Sequence, residues 1–406
     1  MKHPKLVLPA TDPRVLVVGR FAVEGSTLRF DWPATTVKIA VRRAAQIWLR
    51  MDGNKHYFSV QCNDGQPQVM PALYQRVKDY LLPLSIDTSG KDDDVTVISI
   101  VKRTDVAPMH GVLAAAGGPV TLHGIVLDEG SELVPLPASA APPKRLIEFY
   151  GDSDSCGFGI EGARSRTNSI RALLHGSACA HEQDATLAFP ELVARALGAQ
   201  AHNLSWSGIG AVWNAPFGGK EAMNSKWMRL VASDPSAGTV LDDAAGDTAA
   251  TAASLPEAIA IYLGGNDFYT MGDSPHVGWA SKSRTEEKFI EGFAAMLSAI
   301  RASRPAPTPI LVLECDAMSA SCLDSRASQA KYSEMMSRVL RAAVGRAADP
   351  DVHVLPLSSS PPVDFDDDSD FGVLGHWSVS GHRKVAASLA KTMGETLGWA
   401  VNSRAF

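Results

Sequence analysis

Up to about residue 137, apolar positions recur every second residue in short runs broken by turns. Val37, Ile39 and Val41 make one run. Ile47, Leu49 and Met51 make another, ending at Asp52-Gly53, and Phe58, Val60 and Cys62 a third, closing on Asn63-Asp64-Gly65. Residues 95–101 and 120–127 continue the pattern. Period two with turns about every ten residues predicts antiparallel strands that bury one face, as in a β-sandwich or jelly roll. Helical spacing occurs once in this half, over 73–81, where Leu73, Val77, Tyr80 and Leu81 fall on one face.

The period then changes. A Pro- and Ala-rich stretch, VPLPASAAPPKR at 134–145, cannot donate to a ladder and favours an extended connection. This predicts a β-sandwich domain over 1–137, a linker over 138–145 and a second domain over 146–406. In the second domain, apolar strands at 146–150, 258–263, 310–313 and 352–355 alternate with helical patterns at 189–197, 289–300, 332–344 and 381–397. That order predicts an α/β domain with a parallel sheet between helices. Residues 161–184 and 232–256 fit neither period and are expected to be surface insertions.

Composition narrows the class. Thirty-eight basic against 44 acidic residues leave a net charge of −6, which argues against a nucleic-acid partner. No run approaches the roughly 18 apolar residues of a membrane span, and the first fifteen residues lack a signal-peptide pattern. Five cysteines are too few to specify a compartment.

Candidate chemistry gathers at strand ends. The strand at 146–150 stops abruptly in Gly151-Asp152-Ser153, placing a hydroxyl at the carboxyl edge of a parallel sheet, where open α/β folds bind ligands. Three more blocks follow: Asn203-Leu204-Ser205-Trp206-Ser207-Gly208, Leu263-Gly264-Gly265-Asn266-Asp267, and Gly375-His376-Trp377-Ser378 before the last helix. All four can meet at one sheet edge.

The order Ser, Gly, Asn, His resembles the blocks of the SGNH, or GDSL, hydrolases. The flanks IEFYGDSDSCGFG and YLGGNDF, and a His376 followed six residues later by His382, resemble carbohydrate esterase family 2, whose members carry a jelly-roll domain ahead of the hydrolase domain. The resemblance implies a carbohydrate acetylesterase. It would remove O-acetyl groups, at 6-positions above all, from sugars or plant polysaccharides, and would be exported. The implied roles are Ser153 as nucleophile, His376 as base, and the Ser153 N–H, Gly208 N–H and Asn266 amide as oxyanion donors, with no metal and no organic cofactor. Where many SGNH enzymes have an aspartate three residues before the histidine, this chain has Val373. A Ser-His dyad with the ring held by a main-chain carbonyl is therefore expected, with Asp370 as a lesser candidate for a third member. Trp377 replaces a proline, and Asp154 an apolar residue after the nucleophile.

Alternatives stay open on the sequence. His382 could be the base and Gly210 the oxyanion donor. Trp206, Trp213 and Trp377 could stack on pyranose faces or simply pack. His175, Cys179 and His181 are zinc-ligand types without a standard spacing, and Cys156 with Cys179, or Cys315 with Cys322, could form disulfides. The acidic runs at 92–94 and 366–368 read as solvated loops. Two rival functions also remain: a carbohydrate-binding module with vestigial esterase residues, and an SGNH esterase or lipase acting on other acyl esters. The sequence does not set the oligomeric state.

Overall fold

A computed structural model describes residues 6–84, 94–107, 117–162, 180–215, 219–241, 255–272, 281–304, 307–314, 326–356, 365 and 369–406. The chain forms two compact units. One comprises residues 1–142 with 229–253, the other 143–228 with 254–406. The second unit is thus interrupted by a segment that belongs to the first.

The first unit is built from β1 (Leu6–Pro9), β2 (Leu16–Val18), β3 (Ala22–Glu24), β4 (Thr27–Phe30), β5 (Thr36–Arg42), β6 (Ile47–Asp52), β7 (His56–Cys62), β8 (Gln68–Ala72), β9 (Lys78–Leu81), β10 (Thr96–Lys102), β11 (Val120–Leu127) and β12 (Glu132–Val134). They form two antiparallel sheets, ordered β3-β4-β11-β6-β9 with β1 on β11, and β12-β5-β10-β7-β8 with β2 on β5. The alternation works as the sequence predicts: Ile47, Leu49 and Met51 are buried while Trp48, Arg50 and Asp52 are not. Residues of both sheets, among them Leu49, Met51, Ile125, Ile39, Phe58 and Ile98, share one hydrophobic cluster.

The helix expected over 73–81 is not formed. Residues 78–81 are strand β9, paired antiparallel with β6. Of the four apolar residues that suggested a helical face, only Tyr80 is buried, while Leu73, Val77 and Leu81 are exposed. Period-two pairing against β6 overrides a weak local pattern.

A buried carboxylate helps to draw the segment 229–241 into this unit. Asp31 accepts from the main-chain N–H of Ala232 (2.7 Å) and Ser233 (2.9 Å) and from the Ser233 hydroxyl (2.6 Å). Trp32 Nε1 adds a bond to the Arg229 carbonyl at 3.2 Å.

The second unit holds β13 (Arg145–Gly151), α1 (Phe189–Ala196), β14 (Ala199–Ser205), β15 (Ala258–Tyr262), α2 (Gly265–Thr270), α3 (Glu286–Ala302), β16 (Ile310–Glu314), α4 (Arg326–Ala347), β17 (Val352–Pro356) and α5 (Val379–Leu397). Its strands form one sheet, ordered β14-β13-β15-β16-β17, in which every pairing is parallel. Every residue of β15 and β16 is buried, so both faces are covered. Helix α1 packs with α5, and α3 with α4. The strand order reverses at β13, between β14 and β15. Such a switch point leaves a crevice at the carboxyl ends of the strands. Among the described residues, no helix is long and apolar enough to cross a membrane.

Candidate active site

Each sequence block is carried to that crevice by a different strand. Strand β13 ends at Gly151, whose missing side chain matters: a Cβ there would lie 2.0 Å from Ser155 Oγ and 2.9 Å from Ser205 Oγ. The chain can therefore turn sharply, and Ser153 follows at once. Trp206, just past β14, donates its N–H to the Gly151 carbonyl at 3.2 Å, joining the second block to the first. Asn266 lies on α2, just past β15. Its Nδ2 donates to the Ile209 carbonyl at 2.8 Å and, over a longer 3.4 Å, to Asp152 Oδ2.

His376 arrives on a tight turn between β17 and α5. Gly372 N–H donates to the His376 carbonyl at 2.6 Å and Ser378 N–H to the Asp370 carbonyl at 2.9 Å. The His376 ring spans two partners. Nε2 lies 2.8 Å from Ser153 Oγ, and Nδ1 lies 3.0 Å from the main-chain oxygen of Val373. A carbonyl can only accept, so Nδ1 carries the hydrogen and Nε2 is left as the acceptor facing the serine hydroxyl. The Phe158 ring packs 4.8 Å from the imidazole, centroid to centroid.

The other candidates separate by their surroundings. Asp370 is fully buried, and its Oδ2 accepts from Lys384 Nζ at 2.6 Å. His382 is also fully buried, stacked on Phe189 and edge-on to Trp377. Burial pushes it down to about 3, aided by the charge of His376, and its Nδ1 accepts from Phe189 N–H at 3.2 Å. A neutral, enclosed ring with that bond is not placed to act as base. The Gly210 N–H donates to Asn214 Oδ1 at 3.0 Å, whereas Gly208 and Ser153 make no such donation among the described residues. Trp377 offers no face to a sugar: it is 1% exposed, enclosed by Phe189, Tyr262, Phe365 and His382. Trp206 and Trp213 keep partial exposure, with Lys226 Nζ 4.5 Å from the Trp206 ring centroid.

Three carboxyl groups crowd this region. Burial raises Asp152 well above the usual carboxylate range, and the charges of Asp154 and Asp267 add to it. Burial pushes Asp267 up to about 7, against the N–H groups of Trp213, Val212 and Ala211, which donate to it at 2.6 to 2.8 Å. The sequence gives Asp267 no role beyond its place in the block with Asn266. It is the anchor of the loop that carries Trp213, and main-chain donors leave no trace in a sequence. Among the described residues no group of three or more His, Cys, Asp or Glu could hold a metal. His175, Cys179, Cys315 and Cys322 lie outside the described residues, as do both suggested disulfides and most of the two acidic runs.

A serine hydroxyl hydrogen-bonded to an imidazole at the switch point of a parallel α/β sheet defines a serine hydrolase of acyl esters. The sequence profile of the GDSL-like Lipase/Acylhydrolase family matches residues 149–384, and the chain belongs to that family. The cellulase/esterase CelE of Acetivibrio thermocellus is 25% identical over 308 residues, covering 72% of this chain. The chain spans only 30% of that relative's length. Among solved structures, a family two carbohydrate esterase from Clostridium thermocellum in complex with cellohexaose matches with a TM-score of 0.68 and 20% identity, over 95% of this chain and 99% of that one. The acetyl xylan esterase Est2A from Butyrivibrio proteoclasticus matches with a TM-score of 0.66 and 17% identity, over 98% and 99%. The fold, across both units, is that of family two carbohydrate esterases.

Proposed function

We propose that this chain is a carbohydrate acetylesterase that cleaves O-acetyl groups, at 6-positions above all, through a Ser153-His376 dyad and an acetyl-serine intermediate. The observation that carries the reading is the 2.8 Å contact between Ser153 Oγ and His376 Nε2. An ester carbonyl is attacked by a hydroxyl only as a base removes its proton, and Nε2 is the acceptor facing that proton. The Val373 carbonyl holds the ring in the working tautomer, in place of a triad acid. The oxyanion is then met by the N–H groups of Ser153 and Gly208 and by Asn266 Nδ2. Each such donor is typically worth ~3 kcal/mol in the transition state. The 3.4 Å contact of Asn266 with Asp152 is long enough for an oxyanion to displace. Imidazolium returns its proton to the leaving sugar oxygen, and water activated by the same ring releases acetate. In this reading Trp206 and Trp213 offer apolar area to the sugar, and the first unit is a jelly roll.

Acetate release from defined 2-, 3- and 6-O-acetyl sugars tests the proposal. The 6-O-acetyl substrate should be preferred, and Ser153→Ala should lower turnover by several powers of ten. Turnover retained in that variant would end it. Because a relative of known structure holds cellohexaose, capture of unacetylated glucan is a second reading. Affinity electrophoresis of Ser153→Ala on cellulose, glucomannan and xylan separates the two.

A further inference from the structure

We propose that Asn203 and Cys156 are positioning residues that set the spacing between the Ser153 and Gly208 N–H groups, and so shape the cradle in which the oxyanion forms. The inference rests on the esterase reading above and names the side chains on which that cradle depends.

The three oxyanion donors come from three separate segments, which must be held in register for the donors to converge. Asn266 is tied to the second block by its own bond to the Ile209 carbonyl at 2.8 Å. Ser153 is tied to it through its neighbours. In the nucleophile turn, the carbonyls of Asp152, Ser153 and Asp154 accept from the N–H groups of Cys156 (3.1 Å), Phe158 (3.0 Å) and Gly157 (3.3 Å), all within the turn itself. The Ser155 carbonyl accepts instead from Asn203 Nδ2 at 2.9 Å, a side chain reaching over from β14. A carbonyl can only accept, so this bond fixes which end of the amide is nitrogen, and Oδ1 accepts from Ser205 Oγ at 2.5 Å. Asn203 is buried, so the bond is made out of water, where a hydrogen bond is electrostatically stronger.

Cys156 closes the same gap one residue further on. It is fully buried, with Sγ 3.4 Å from the Ser153 carbonyl oxygen and 3.3 Å from Ser207 Oγ. The thiol hydrogen serves the carbonyl, which leaves the sulfur as acceptor for the Ser207 hydroxyl. Ser207 immediately precedes Gly208. One contact of the thiol therefore falls on the residue that supplies the first oxyanion donor, and the other falls beside the residue that supplies the second. Thiols are weak donors and acceptors, so Asn203 bears the larger share. Both side chains act through main chain, by fixing a distance. A misplacement of ~1 Å at a reacting centre can cost ~100-fold in rate.

The test compares kcat and KM on 4-nitrophenyl acetate with the inhibition constant of phenylboronic acid. Boron accepts the Ser153 Oγ electron pair as the hydroxyl proton passes to His376, so a boronate oxygen occupies the cradle and its affinity reads the donor geometry without turnover. Asn203→Asp keeps the shape but sets an acceptor against the Ser155 carbonyl. Its kcat should fall ~10–100-fold with KM within about threefold, and the boronate inhibition constant should rise in step with the fall in kcat/KM. Cys156→Ala should lose ~3–10-fold by both readouts, and Cys156→Ser, which keeps a donor, should recover part of that loss. Cys156→Ala, which makes no demand on packing, carries the test should Asn203→Asp fail to fold. A folded variant that matches an active wild type, or that loses kcat with its boronate affinity unchanged, overturns the role assigned to that residue and leaves the esterase reading standing. A wild type that neither hydrolyses the ester nor binds the boronate overturns the esterase reading and this inference with it.

Discussion

Val373 holds Nδ1 of His376 through its main-chain oxygen at 3.0 Å, at the sequence position where the family resemblance calls for an aspartate. The ring is therefore oriented by the shape of a turn and not by a side chain. That shape is fixed by the Gly372 to His376 and Ser378 to Asp370 main-chain bonds and by a bridge between Phe371 and Trp377. It also needs close approach: a Cβ on Gly372 would lie 2.8 Å from the Gly159 carbonyl oxygen.

Asp370 provides the sharpest test of this arrangement. Its carboxylate is fully buried against Lys384, so Asp370→Asn removes half of an ion pair and should cost about 1–3 kcal/mol of stability. It should leave kcat on 4-nitrophenyl acetate within about threefold below the unfolding temperature, because the Val373 carbonyl remains. A loss of about a hundredfold in a folded variant would restore Asp370 as a third catalytic member.

Gly208 and Gly210 should respond differently to substitution. Gly210 has no room: an added Cβ would meet the Trp213 carbonyl oxygen at 2.0 Å and Asp267 Oδ2 at 2.4 Å. Gly210→Ala should therefore displace the loop and lower stability by about 1–3 kcal/mol, with activity falling alongside. Gly208 sits at φ +76°, so Gly208→Ala should cost about 1 kcal/mol of backbone strain but keep the N–H proposed as an oxyanion donor. Paired urea melts and kcat measurements distinguish them. A larger loss of stability in Gly208→Ala than in Gly210→Ala would contradict the geometry.

How much of this was legible depended on whether the deciding partner was a side chain. Strands β13 and β15 to β17 read clearly because they are short, mostly apolar runs. Strand β14 has no continuous apolar run, since Gln200 and His202 are partly exposed at the sheet's edge. Helix α2 was missed because it is six residues long and starts after Gly264 at φ +124°. Ser153 and His376 were marked by motif and lie in contact. The attachment of 229–241 to the first unit could not be read, since Asp31 binds main-chain N–H groups about 200 residues away in sequence. The same holds for Asp267.

Asp267 should thus be sensitive to a change that preserves its size. An Asn there offers one acceptor oxygen where Ala211, Val212 and Trp213 N–H groups now share two, and turns an NH2 group toward at least one donor. Asp267→Asn should lower stability by about 2 kcal/mol or more and raise KM for glycan substrates through the Trp213 loop, with a smaller effect on kcat. A variant as stable as the wild type would show that the three bonds do not hold the loop.

The buried His382 gives the acid side of the stability profile. Its value in the folded chain, about 3, lies below the 6.5 of a free imidazole, so the native state stays neutral while the unfolded chain takes up a proton. Stability from this group is complete above pH 6.5 and is lost progressively as pH falls from there toward 3. Between pH 8 and pH 5 the loss should be about 2 kcal/mol, since each unit below the unfolded value costs about 1.4. His382→Gln keeps an oxygen for the Phe189 N–H but cannot titrate. Its absolute stability should be lower, because an amide N–H then sits among Phe189 and Trp377. The informative quantity is the difference in urea unfolding free energy between wild type and variant at each pH, which cancels carboxyl groups common to both. That difference should shrink by about 2 kcal/mol from pH 8 to pH 5. Parallel curves would mean that His382 is solvated enough to titrate in the folded chain, contrary to its enclosure by the two rings.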